Sequence, residues 1–369
     1  MGNIDYTSVK IDEIVKSLAP KAKSLEDDFA NGVGIYGAGF LGTWAVDYLR
    51  SIDAKINCFI DRDINKSDTF IKNIKVITPD KLKESSVKSI FIASRHVVKD
   101  VIDDLGQDNY NMISFDGYFI VKNYQRLCKI RDGLLEDVKS VETFNAILYS
   151  MLTSSLQSCY EVMEKDMYFS LPEFSGTFEE TFVDVGAFVG DSVERFIWEN
   201  LGTFRHIHAF EPGKRQFFAM QKRVERLSLE WAFDMDKVSL NNIGLSSQES
   251  QMNCTFEDDF PIRHGLVASD VQDANKSQSL ATVLSLDSYL GDKKATFLKI
   301  DIEGMEMDFL RGAVKTITVN KPKIAICVYH YPSDLYEIAE FIKDLVPEYK
   351  FKIRQHAPIF GDFVLYCYI

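Results

Sequence analysis

Twice along this chain an apolar run ends in a glycine-rich turn and passes into a helical pattern. An acid then closes a second apolar run about twenty residues past the glycines. The first unit is Val33-Gly34-Ile35-Tyr36-Gly37-Ala38-Gly39-Phe40-Leu41-Gly42, followed by Lys55 to Ile60 and Asp61. The second is Thr181-Phe182-Val183-Asp184-Val185-Gly186-Ala187-Phe188-Val189-Gly190-Asp191-Ser192, followed by His206 to Phe210 and Glu211-Pro212. A strand that turns through glycine into a helix and returns as another strand describes a parallel α/β sheet. The glycines let the backbone approach a ligand, and the helix N-terminus favours negative charge there. Two such units, in a chain of 369 residues, predict two α/β domains.

The order of signals gives the boundaries. Residues 1–29 have helical spacing (Val9, Ile11, Ile14, Val15, Leu18), with Pro20 as the expected break. Residues 30–120 form a small Rossmann-like domain. Gly37, Gly39, Gly42 and Asp61 are its candidate nucleotide site, and the alternative is a scaffold for docking or dimerisation. Residues 121–175 read as a helical connector, whose Tyr and Met residues are explained by packing or by closure over a substrate. Residues 176–369 form the second α/β domain. Within it, 246–280 are polar and aperiodic and are expected to form a substrate loop carrying Phe256, Phe260, Arg263 and His264. Tyr349 to Arg354 and Asp362 to Ile369 are joined by too short a loop for a crossover helix, so they are predicted to pair antiparallel.

Charge and cysteine usage narrow the function. A net charge of −13 argues against a nucleic-acid surface, which needs clustered Lys and Arg. The six cysteines are scattered without a Cys-x-x-Cys pair, and several lie inside apolar runs, so they read as reduced thiols in a cytoplasmic protein. No apolar stretch reaches membrane-spanning length, and the first residues lack a signal-peptide pattern.

Chemistry concentrates at strand ends. Lys299-Ile300-Asp301-Ile302-Glu303-Gly304-Met305-Glu306 follows a buried-strand pattern and precedes a helical one, which puts Asp301 and Glu303 at the edge where open sheets bind ligands. The strand Pro322 to Tyr329 ends at His330, whose ordinary pKa near 6.5 makes it the first candidate base. Lys299 needs a partner if its strand is buried on both faces. No resident metal is expected; Asp301 and Glu303 are the carboxylates that would hold one.

Several stretches, in order, resemble the FkbM-type methyltransferase family, a branch of the class I S-adenosylmethionine (SAM) methyltransferases. They are Phe182 to Asp191, Ala209-Phe210-Glu211-Pro212, Asn242-Ile243-Gly244-Leu245-Ser246, Leu286-Asp287-Ser288-Tyr289-Leu290, Leu298 to Glu306 with Leu310-Arg311-Gly312-Ala313, and Pro322 to Ile326 before Tyr329-His330. The resemblance covers roughly residues 180 to 369 and departs at Phe188, where relatives usually carry Asn. It implies a seven-stranded sheet with its last strand antiparallel, SAM as cofactor, and methyl transfer to a hydroxyl acceptor, a glycan or nucleotide-linked sugar. Asp184, Gly186, Gly190, Asp191, Ser192, Glu211, Pro212, Asn242 and Asp301 would hold the cofactor. Asp184 would take its ammonium, Glu211 its ribose and Asn242 its adenine; His330 and Asp301 would be catalytic. Two other classes stay open: a nucleotide-dependent oxidoreductase using Gly37 to Gly42, and a non-catalytic nucleotide-binding scaffold.

Overall fold

A computed structural model describes residues 6–106, 109–257, 260–268 and 277–369. The chain divides into two units. The first comprises residues 1–133, 138–163 and 357–360, and the second comprises 134–137, 164–356 and 361–369. The segment expected as a connector is thus shared: most of its helical part packs within the first unit.

The first unit starts with α1 (Ser8–Glu26), capped by Thr7 Oγ1, which accepts from Lys10 N at 3.3 Å. Pro20 does not break it. Proline removes one helical hydrogen bond, but Pro20 lies on the exposed face, while Ile11, Val15, Ala22 and Leu25 are buried and hold the helix continuous. The sheet follows: β1 (Val33–Tyr36), β2 (Ile56–Ile60), β3 (Phe70–Ile71), β4 (Ile74–Ile77), β5 (Ser89–Ile92) and β6 (Asn111–Ser114). Its order is β3-β4-β2-β1-β5-β6, parallel apart from the β3–β4 hairpin. Every residue of the central strands β1 and β5 is buried, which is why they read as unbroken apolar runs. The glycine turn leads into α2 (Phe40–Ser51), and α3 (Val98–Leu105), α4 (Phe115–Gly133), α5 (Val138–Thr153) and α6 (Gln157–Val162) complete the unit.

The second unit contains β7 (Thr181–Val185), α7 (Asp191–Glu199), β8 (His206–Phe210), α8 (Lys214–Trp231) and β9 (Val238–Asn241). Next come β10 (Gly244–Leu245), β11 (Ser250–Glu257), β12 (Phe260–Ala268), β13 (Ser277–Leu284) and α9 (Leu286–Leu290). The chain ends through β14 (Phe297–Ile300), α10 (Glu306–Arg311), α11 (Val314–Asn320), β15 (Lys323–Cys327), α12 (Asp334–Leu345), β16 (Lys350–Gln355) and β17 (Phe363–Tyr368). The main sheet runs β16-β17-β15-β14-β7-β8-β9, with β17 antiparallel to both neighbours, as the sequence predicts. Phe182 stacks on Phe196 with ring centroids 4.2 Å apart and meets Phe297 edge-on at 5.0 Å, so the abundant aromatics form this core.

The expected substrate loop at 246–280 is not a loop. Its strands form a second sheet, β10-β13-β11-β12, in which β11 pairs antiparallel with both β12 and β13. The side chains of Phe256, Phe260, Arg263 and His264, and residues 269–276, lie outside those described. The six cysteines are free thiols. Among the described residues no helix is long and apolar enough to cross a membrane.

Two histidines, His208 buried and His356 partly buried, give this unit an acid limit. His356 Nδ1 faces the Glu164 carbonyl at 3.1 Å and Nε2 the Tyr366 hydroxyl at 2.8 Å, an arrangement that suits a neutral ring donating through Nδ1. Burial, aided by Arg354, lowers its pKa to about 4. His208 is likewise lowered to about 4, by burial and then by His206 and Lys293. Between pH 6.5 and 4 the unfolded chain therefore binds more protons at these positions than the folded one, and stability falls as the pH drops. Each group withdraws up to roughly 3 kcal/mol by pH 4. Urea unfolding from pH 7 to 4 is expected to show a shallower pH slope for His356→Gln than for the parent chain; an unchanged slope refutes this.

Candidate functional site

β7 and β14 lie side by side at the centre of the main sheet, and β8 and β15 flank them. The chain therefore brings the residues after these four strands to one edge, the position where open α/β sheets bind ligands. A cleft of about 900 Å³, counting its open mouth, lies there. Gly186, Phe188, Asp191, Ser192, Glu211, Pro212, Asp301 and Glu303 line it, joined by Tyr168, Lys299 and Gly244-Leu245.

The floor depends on Gly186. Its φ is +80°, and a Cβ there would stand 1.9 Å from the Asp301 carbonyl oxygen. The two loops after β7 and β14 can therefore touch only through a residue without a side chain. Gly190 also has positive φ, but it packs on Met220 and caps α7 without lining the cleft.

Glu211 is 1% exposed. It accepts from Phe188 N at 2.9 Å and Gly213 N at 2.6 Å, which fixes the carboxylate in the cleft wall. Asn242 does not face the ligand space. Its amide donates to the carbonyls of Glu211 (2.9 Å) and Pro212 (3.1 Å), so it braces the turn that presents Glu211.

Asp184 departs from the sequence expectation. It is fully buried, accepts from the Ser192 hydroxyl and pairs with Lys299 at 3.0 Å. It is thus spent inside the sheet and not presented to a ligand's ammonium. Lys299 also donates to the Gly186 carbonyl at 2.6 Å and has the Tyr168 ring 5.2 Å away. Burial opposes the lysine's charge, but Asp184 and Asp301 outweigh it and raise its pKa. Burial also pushes Asp184 upward, against the pull of Lys299. The ion pair is the better description, because a neutral Asp184 would leave a buried ammonium without its nearest counter-charge.

Asp301 has 22% of its side chain accessible. Tyr168 Oη donates to its Oδ2 at 2.8 Å and Tyr329 Oη to Oδ1 at 3.3 Å. Burial alone would raise its pKa, but Lys299, then His330 and the Tyr168 hydrogen bond, hold it below the usual carboxylate value. Asp301 is therefore ionised at the cleft. Glu303 is at the half-exposed rim, on a left-handed turn completed by Gly304.

His330 is not placed as a free base. It is 5% exposed, lies outside the cleft lining and is ringed by acids. Nδ1 lies 3.0 Å from Glu306, and Nε2 lies 3.5 Å from Glu303 and 3.7 Å from Asp301. Burial disfavours its charge, yet Glu306, Glu303 and Asp301 prevail and raise its pKa well above the ordinary value. Ligand atoms from Asp301, Glu306 and His330 all lie within 4.8 Å of one another.

Three site residues escaped the sequence reading. Glu306 was legible as the last acid of Asp301-x-Glu303-x-x-Glu306, at the first position of α10. The sequence shows of Lys299 only that a buried lysine needs a partner. Tyr168 carries no local signal, since it reaches Asp301 from 133 residues away.

In the first unit Gly37 (φ +101°) makes the turn after β1, Gly39 caps α2, and Gly42 packs where a Cβ would meet the Gly37 carbonyl at 1.9 Å. Asp61 accepts from Ala38 N at 2.8 Å and pairs with Lys66 at 3.3 Å. It braces its own glycine turn, a role the spacing does not reveal.

Residues 184–353 match the sequence profile of the methyltransferase FkbM domain. A relative, "Methyltransferase 1" of Beauveria bassiana (strain ARSEF 2860), is 27% identical over 158 residues, covering 35% of this chain and 61% of its own length. The chain thus spans about three-fifths of that curated relative. The crystal structure of an FkbM methyltransferase from Methylobacillus flagellatus KT shares the fold, with a TM-score of 0.59 at 21% identity over 99% of this chain and 100% of that one.

Proposed function

We propose that this chain, whose residues 184–353 match the methyltransferase FkbM domain, transfers the methyl group of SAM to a hydroxyl oxygen of a carbohydrate or nucleotide-linked sugar. The observation that carries this reading is the meeting of a buried, backbone-fixed carboxylate (Glu211), a floor without a side chain (Gly186) and an ionised acid (Asp301) in one cleft. These groups fit SAM. Glu211 would take the ribose hydroxyls, the Gly186 backbone would admit the sulfonium end, and Pro212, Gly244 and Leu245 would offer an apolar slot for a flat base. With Asp184 consumed by Lys299, Asp191 is the carboxylate beside Gly186 available to the ammonium.

When bound, SAM supplies an electrophilic methyl group. The chain's own task is to align an acceptor oxygen and remove its proton. Asp301, held by the Tyr168 and Tyr329 hydroxyls, would accept the acceptor's O–H hydrogen bond and take up the proton that the acceptor loses on methylation. Lys299, and after it His330 at 3.7 Å, favour the ionised form of Asp301. The sugar acceptor rests on the family resemblance, and Asp301 takes the role of base in place of His330.

Calorimetry with S-adenosylhomocysteine (SAH), NADH and nucleotide sugars tests the cofactor. Binding of SAH is expected; binding of NADH alone overturns the reading. Asp301→Asn is expected to keep SAH affinity within a few-fold while lowering turnover by about 10²–10⁴, the span of a lost general base. Unchanged turnover removes Asp301 from that role.

A further inference from the structure

Behind Asp301, three carboxylates converge on one imidazole: Asp301, Glu303 and Glu306 each lie within 3.7 Å of a ring nitrogen of His330. Glu306 is 1% exposed and His330 5%. Both His330 nitrogens and Glu306 Oε2 are buried without a hydrogen-bond partner among the described residues, although ion-pair distances surround them. Buried polar atoms in that condition are costly, and each needs a reason.

The ordering of the carboxylates supplies one. Glu306 Oε1 accepts from Ile302 N at 3.0 Å, which fixes the carboxylate and leaves Oε2 over. Asp301 is fixed by its two tyrosines. Ligating carboxylates held by outer hydrogen bonds are the usual construction of a metal centre.

We propose that Asp301, Glu306 and His330 form a binding site for a divalent transition-metal cation, with Glu303 at its solvent side. One imidazole with carboxylates suits Mn²⁺, Fe²⁺, Co²⁺ or Zn²⁺ better than Ca²⁺ or Mg²⁺, which favour all-oxygen shells. Ligand atoms around such an ion at about 2.1 Å stand about 3 to 4.2 Å apart. The three here lie within 4.8 Å of one another, so small side-chain rotations close the shell. A cation would also balance the excess of carboxylates over imidazole. Because Asp301 lines the cleft and Glu306 lies behind it, the ion would sit beside the acceptor position and polarise the acceptor hydroxyl. That role rests on the methyl-transfer reading; the site itself does not.

Mn²⁺ titration of the chelator-treated full-length chain, followed by the electron paramagnetic resonance of free Mn²⁺ without SAM or SAH, tests the site. One equivalent is expected to bind at micromolar concentration, and Glu306→Gln and His330→Gln are each expected to weaken it at least tenfold. No binding up to millimolar Mn²⁺ in the parent chain overturns the proposal. So does tight binding that neither variant weakens while circular dichroism shows both folded. SAH calorimetry on the same metal-free samples reads the methyltransferase assignment separately: SAH binding without Mn²⁺ binding removes the metal and leaves that assignment standing.

Discussion

Lys299→Met is expected to destabilise the second unit by roughly 3–5 kcal/mol, the cost of leaving one member of a buried ion pair alone. Lys299 and Asp184 are 4% and 0% accessible on adjacent strands. Methionine fills much of the same volume, so lost packing is a minor part of the effect. Three interactions disappear together: the pair with Asp184, the hydrogen bond to the Gly186 carbonyl, and the positive charge that keeps Asp301 ionised. Chemical unfolding followed by Trp198 and Trp231 fluorescence reads the loss. The double variant Lys299→Met/Asp184→Leu is expected to recover most of it, because a buried pair replaced by apolar groups costs far less than a pair broken in half. A loss below 1 kcal/mol in the single variant would mean that Asp184 is already neutral in the folded chain. SAH affinity is expected to fall as well, since Lys299 holds the Gly186 carbonyl at the cleft floor.

This pair also marks the limit of sequence reading. Asp184 followed by a glycine turn looks like a ligand carboxylate, and only the register of β7 against β14 sets Lys299 opposite it. The parallel strands themselves were legible, because burial on both faces makes them continuous apolar runs that end in polar turns. Glu211, Asp301 and Gly186 were legible for the same reason: they stand where those runs stop. The sheet at 244–284 was not. On β13 Leu280 is 63% exposed beside the buried Ala281, and on β11 the adjacent Cys254 and Thr255 are both buried, so apolar and polar residues do not alternate as a half-buried strand requires. Pro20 misled because propensity is local, while the buried face of α1 is a tertiary fact. His330 was found by residue type, but its proton is governed by Glu306, and sequence spacing does not show which acids surround a side chain.

Gly186→Ala is expected to abolish SAH binding, by 10²-fold or more, and Gly190→Ala is not. Both glycines have φ near +80°, so both substitutions incur the left-handed backbone cost of about 1–2 kcal/mol. They differ in what the new methyl group meets. At Gly190 the nearest atom is Met220 Cγ at 3.0 Å, the middle of a flexible side chain that can yield. At Gly186 it is the Asp301 carbonyl oxygen at 1.9 Å, with Ile302 Cγ2 at 2.9 Å. That carbonyl is backbone, tied in place where Asp301 N donates to Val185 O at 3.1 Å. Relief requires the ends of β7 and β14 to part, which moves Asp301 away from Glu211 and opens the cleft floor. Calorimetry with SAH on both variants, alongside their unfolding midpoints, separates a ligand effect from a stability effect. Equal loss of SAH affinity in the two would show that the cleft floor at Gly186 is not where the cofactor rests.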